Sequence, residues 1–117
     1  MKAGKIPKSL SICGYDVAVR FERLPDDADG TFNPRTQTIT LDEDLTLGAK
    51  VGTLLHETLH GGDEWGMIFN AEDREMQVHQ VSGFLFQVLV ENVELSELVW
   101  KLAKRKASQG RLVNDKK

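Results

Sequence analysis

Thr53-Leu54-Leu55-His56-Glu57-Thr58-Leu59-His60-Gly61-Gly62 is the stretch on which the reading of this chain turns. Around it Leu47, Val51, Leu54, Leu55 and Leu59 recur at the intervals of an amphipathic helix. At about 100° per residue, and with His56 at zero, His60 falls near 40° and Glu57 near 100°. The aliphatic positions fall at about 160–300° on the same wheel. A helix from Leu47 to His60 thus has a core stripe and, nearly opposite, a His/Glu face. Asp44 or Thr46 is expected to cap its start, and Gly61-Gly62 to stop it.

The His/Glu face carries a chemical pattern, His56-Glu57-x-x-His60. Histidines four apart on a helix lie one turn apart on one side, so both imidazoles can grip a single ion, and the adjacent glutamate can serve as a general base. A catalytic zinc site needs three protein ligands and one position for water. The third must come from elsewhere in the chain. Two surface histidines on an ordinary amphipathic helix are the plain alternative.

Downstream, the sequence predicts a second helix from about Ala71 to Asn92. It is apolar over most of its circumference (Val78, Val81, Phe84, Leu85, Phe86, Val88, Leu89), and so is expected in the core. Glu75, His79 and Glu72 share one face near its start. Glu75 is the first choice for the third metal ligand, with His79 as its orienting partner or an oxyanion donor. The reverse arrangement, His79 as ligand and Glu75 holding it, is the rival, because carboxylate–histidine pairs are common around metals. Glu72 comes third, and His79 as a packed histidine without a chemical role is the plain alternative. Asp63 is set aside because it follows the expected helix break. His60 is not followed by the x-x-G-x-x-H continuation of metzincins. A third helix is expected over Leu95 to Lys106, with Leu95, Leu98, Val99 and Leu102 on one stripe.

Upstream, Cys13, Tyr15, Val17, Val19 and Phe21 alternate with Gly14, Asp16, Arg20 and Glu22, the pattern of a half-buried strand. On that strand Cys13 reads as a small buried hydrophobe rather than a nucleophile, and Tyr15 as a packing residue. Leu24 to Gly30 has loop chemistry. Thr31–Asn33 and Thr38–Leu41 are short strand-prone pieces about a Pro34-Arg35-Thr36 turn. A small, mostly antiparallel sheet of two or three strands follows. The fold class is therefore α+β, with that sheet packed on the His-Glu-x-x-His helix and a second buried helix, plus a C-terminal helix.

The 117 residues suit one domain, 1–117, with 1–11 as a flexible entry segment and 107–117 as a flexible basic tail. One cysteine excludes a disulfide framework and a multi-cysteine zinc finger. No apolar run is long enough to cross a bilayer, and the start lacks a signal-peptide core, so a cytoplasmic protein is expected. Residues 1–100 carry 8 basic against 17 acidic side chains, and 101–117 carry 7 against 1. An acidic body repels nucleic acid, and the basic end reads as a solvated helix terminus. Nucleic-acid binding is thereby confined to the segment 101–117.

The order of a G-Y-D-V-A-V strand, a G-x-F-N-P-x-T-x-x-I-T-L hairpin and the T-L-L-H-E-T-L-H helix resembles the small zincin-like metallopeptidases of phages and prophages. These are similar to the ImmA/IrrE-type group and, more distantly, to SprT-like domains. The E-x-x-V-x-x-V-x-x-F-L run from Glu75 resembles the helix that supplies that group's third zinc ligand. The resemblance covers about residues 10–95. It implies a minimal zincin-like domain, one Zn²⁺ held by His56, His60 and Glu75, and catalysis by Glu57. It also implies a sheet edge that takes an extended protein or peptide substrate, in a host cytoplasm if the chain is phage-encoded. The alternative is a non-catalytic zinc-binding module that holds a protein without cutting it.

Overall fold

The computed structural model describes the backbone of residues 5–115 and the side chains of residues 5–109. Four strands, β1 (Ser9–Ile12), β2 (Tyr15–Glu22), β3 (Gly30–Asn33) and β4 (Thr38–Asp42), precede three helices, α1 (Leu47–Glu64), α2 (Arg74–Glu91) and α3 (Val93–Asp115). The architecture is α+β, as expected. The sheet has four strands, not the expected two or three, and is mixed, in the order β1-β2-β4-β3, because residues 9–12 add a strand. β1–β2 and β3–β4 are antiparallel, and β2–β4 is parallel with Val19 opposite Ile39. β3 therefore forms one edge.

The expected single strand from Cys13 is in fact a hairpin. Cys13 and Gly14 both adopt positive φ, 54° and 83°, and form the two-residue connection between β1 and β2. Such turns match the right-handed twist of paired strands. The alternation beyond the turn is real, since Val17 and Val19 are buried. Tyr15 and Phe21, at the two ends, are exposed. Residues 9–11 of the expected entry segment belong to β1, which buries Leu10 and Ile12. Toward the other end, α3 runs to Asp115, well past the expected Lys106, and buries Leu95 and Leu98. Residues 116–117 of the expected basic tail lie outside the described residues.

Pro34-Arg35-Thr36 is a turn, as read. Asn33 Oδ1 accepts from the Arg35 and Thr36 amides at 3.0 and 3.3 Å. Thr46 caps α1, its hydroxyl accepting from the Ala49 amide at 3.3 Å.

The helix does not stop at Gly61-Gly62, which lie inside α1, and Trp65 is its C-cap. The glycines serve packing instead. A Cβ on Gly62 would sit 2.8 Å from two Phe84 ring atoms, and one on Gly61 would touch Ile12, Trp65 and Phe32. Bare backbone here lets β1 and α2 approach the end of α1.

The core joins the inner sheet face (Ile12, Val17, Ile39, Leu41) to Leu54 of α1, Ile68 of the α1–α2 connection, Phe84 and Val88 of α2, and Leu95 of α3. Buried Asn92 ties the α2–α3 junction to the β1 edge. Its Oδ1 accepts from the Ser11 amide at 2.6 Å, and its Nδ2 donates to the Ser11 carbonyl at 2.9 Å.

One expectation about α2 is overturned: it is not buried all round. Phe84 and Val88 alone of its side chains are buried, while Val78, Leu85, Phe86, Leu89 and Val90 are exposed, Phe86 by 70%. Facing the body beside Phe84 are half-buried Gln77, Gln80 and Gln87. The Oε1 atoms of Gln80 and Gln87 are buried with no hydrogen-bond partner among the described residues. An apolar helix has two sides it can bury, and a four-stranded sheet with one crossing helix covers just one.

Gly62→Ala should destabilise the fold by about 1–3 kcal/mol, the usual cost of overpacking. Gly83→Ala, in open space on α2, should stabilise it by about 0.4–1 kcal/mol through the unfolded chain. Urea unfolding of both variants checks the pair.

Candidate metal centre

α1 lies across the β3–β4 side of the sheet with Val51 and Leu54 turned down into the core. Its upper face meets edge strand β3, and Gly30 makes the contact possible. A Cβ there would sit 2.6 Å from Thr53 Cγ2 and 3.4 Å from Glu57 Cγ. Glu57 is consequently roofed by the strand and is 6% exposed. It has no hydrogen-bond or ion-pair partner among the described residues.

His56 and His60 stand beside it, exposed, with their rings edge to face at 4.8 Å. Their Nε2 atoms are 3.2 Å apart. Two nitrogens bound at about 2.0–2.1 Å to one tetrahedral ion would be separated by about 3.3 Å. The rings thus already converge on a shared point. With Glu57 they form a group whose ligand atoms all lie within 4.8 Å of one another. Two imidazoles and a carboxylate are a donor set suited to a divalent transition metal. The helical His/Glu face read from the sequence is therefore present as a group that could hold a metal ion.

That group does not include the α2 candidates. Glu72, Glu75 and His79 are exposed, with Glu75 in the first turn of α2 behind the Asp73 cap. Glu75 precedes Phe84 by nine positions, which places it about 180° from the packed stripe. His79 falls about 140° away. The sequence correctly set Glu75 and His79 on one face, and in the structure that face is the outer one. Glu72, expected on the same face of a helix from Ala71, instead precedes the Asp73 cap and lies outside α2, which starts at Arg74.

Two hollows open on either side of Glu57. One, of about 440 Å³, is lined by Ala28, Asp29, Gly30, Thr53, His56 and Glu57. The other, of about 300 Å³, is lined by Phe32, Pro34, Glu57, His60, Asp63 and Glu64. Asp63 and Glu64 reach this wall because α1 continues through the glycines, a continuation the glycine pair concealed in the sequence. Beyond them Trp65 stacks on Tyr15 at 4.3 Å and meets Phe32 edge-on at 5.4 Å. Tyr15 and Trp65 thus brace the end of α1 against the sheet, and Tyr15 is no core residue. Partial burial pushes the Cys13 thiol up from its ordinary value. That leaves little thiolate at neutral pH, consistent with its reading as a non-nucleophile.

The intact chain should bind one divalent ion in calorimetric titration with Zn²⁺ or Co²⁺. His56→Ala or His60→Ala should lower the affinity more than about 100-fold, beyond the cost of losing a residue outside the coordination shell. Cys13 should react slowly with a thiol reagent at neutral pH and faster as pH rises.

Among known proteins, no protein-family model, no curated protein and no solved structure matches this chain, so what the site can do follows from its own residues.

Proposed function

We propose that the chain is a zinc-dependent metallopeptidase in which His56 and His60 hold the ion and Glu57 is the general base. The observation that carries this reading is the convergence of the two Nε2 atoms, 3.2 Å apart, beside a buried, unpartnered carboxylate that opens on two surface hollows. When bound, such an ion polarises a carbonyl and acidifies water.

The protein's own part is to position and to move protons. Glu57, pinned by the roof of β3, takes a proton at a carboxylate oxygen and later returns it to the departing amine. No lysine or arginine among the described residues pairs with it or lines the hollows on which it opens. Edge strand β3 runs beside it and is suited to align an extended peptide by strand addition.

The third ligand in this proposal is Glu75, with His79 and Glu72 as rivals, on the α2 pattern and the zincin resemblance. Since Glu75 stands on the outer side of α2, coordination requires that helix to turn on its axis. The same turn would carry Phe86 and Leu89 inward. No described helix is long and apolar enough to cross a membrane.

The uncovered apolar side of α2 favours one second reading, a metal-binding module that docks another protein without cutting it. Cleavage separates the two.

Glu57→Gln should retain one metal ion per chain while hydrolysis of an unfolded protein such as casein falls by about 10²–10⁴-fold, the range for a general base. Full activity in that variant would refute the mechanism. Glu75→Ala should strip the ion, as seen by metal analysis after dialysis, whereas His79→Ala should weaken binding only about 10–100-fold.

A further inference from the structure

The walls of the two hollows carry charge of one sign. Asp29 lines the one on the His56 side, and Asp63 and Glu64 line the one on the His60 side. All three are exposed, and none is in an ion pair among the described residues. No lysine or arginine lines either hollow. A neighbouring hollow continues the acidic surface with Asp27, Asp42 and Asp44, where Arg23 is engaged by Asp44 at 3.7 Å.

Fold stability does not account for this arrangement. Asp63 and Glu64 occupy the last turn of α1, which has no basic residue, so they oppose the negative end of the helix dipole. Glu57, 6% exposed and without a hydrogen-bond or ion-pair partner among the described residues, lines both hollows and is a third carboxylate on the His60 side. Phe32, on the same wall, offers a ring to the stem or head of a cationic side chain.

We infer that the groove over Glu57 selects a basic polypeptide segment, with a lysine or arginine of the bound chain seated in the hollow formed by Phe32, Asp63 and Glu64. The inference rests on the metallopeptidase reading of the same site and names its substrate class. Asp29 receives a second basic residue on the other side of the scissile bond. Asp63 and Glu64 bind and position; they take no part in proton transfer. Electrostatic attraction of this kind acts on encounter and on affinity, and it weakens with salt.

The test uses fluorescein-labelled peptides of alanine and leucine, about ten residues long, carrying two lysines, two glutamines or two glutamates. Binding is followed by anisotropy on the full-length Glu57→Gln protein loaded with Zn²⁺, so that nothing is cut. At low salt the lysine peptide should bind about tenfold more tightly than the glutamine peptide, as expected for a few exposed charge pairs. The glutamate peptide should bind more weakly than either, and the differences should shrink in about 0.5 M salt. Adding Asp63→Asn and Glu64→Gln should reduce the lysine preference to about twofold. The distant pair Glu94→Gln and Glu97→Gln should leave that preference in place. Equal binding of the three peptides, or a lysine preference insensitive to Asp63 and Glu64, overturns the inference. With the wild-type protein, cleavage without charge preference would overturn it and leave the peptidase reading standing. Charge-selective binding without any cleavage would do the reverse.

Discussion

The close approach of α1 to edge strand β3 is the contact on which the rest of the site depends. It exists because Gly30 has no side chain to hold Thr53 and Glu57 away. With the strand that near, Glu57 loses most of its water while its oxygens still open on the two hollows. The same contact sets His56 and His60 on the free side of the helix, one turn apart, with their nitrogens converging. A carboxylate is expensive to bury without a partner. That cost is tolerable where a bound cation, or a proton in transit, supplies the missing charge.

Two structural devices hold α1 and the β1 edge in place: bare backbone where side chains would be expected, and a side chain where a strand's backbone would be expected. Gly61 and Gly62 let the ring of Phe84, Trp65 and the end of β1 press against the helix. Asn92 substitutes for a neighbouring strand at Ser11 and closes the β1 edge, which otherwise would present free amides and carbonyls. The aromatic trio of Tyr15, Trp65 and Phe32 then fixes the last turn of α1 relative to the sheet. This last turn brings Asp63 and Glu64 to the rim.

α2 shows how periodicity can identify a helix without assigning its faces. Its sequence from Met76 to Val90 contains no Lys, Arg, Asp or Glu, so no solvated side is marked on it. Burial then goes to whichever side has complementary neighbours. Phe84 finds the bare backbone of Gly62, and it brings Gln80 and Gln87 inward with it while Phe86 and Leu89 face out. The face that carries Glu75 and His79 follows Phe86. The placement of those two groups relative to the His pair was therefore beyond any reading of the helix wheel alone.

What the sequence by itself determined were the features set by local periodicity and short-range geometry. Those are the α+β class, the helix over Leu47 onward with its aliphatic stripe, a cap at Asp44 or Thr46, the Pro34-Arg35-Thr36 turn and the shared face of His56, Glu57 and His60. Each follows from 3.6- or 2-residue spacing, or from a hydrogen bond within four residues, and needs no distant partner. Tertiary structure alone decided that Gly61-Gly62 continue a helix, that Cys13-Gly14 turn a hairpin, that β2 and β4 run parallel, and which side of α2 meets the core. Glycine is compatible both with a helix end and with a tightly packed helix interior, and an uncharged apolar helix is compatible with either orientation. Only the atoms that come to lie against such residues, from elements far away in the chain, can choose between these states.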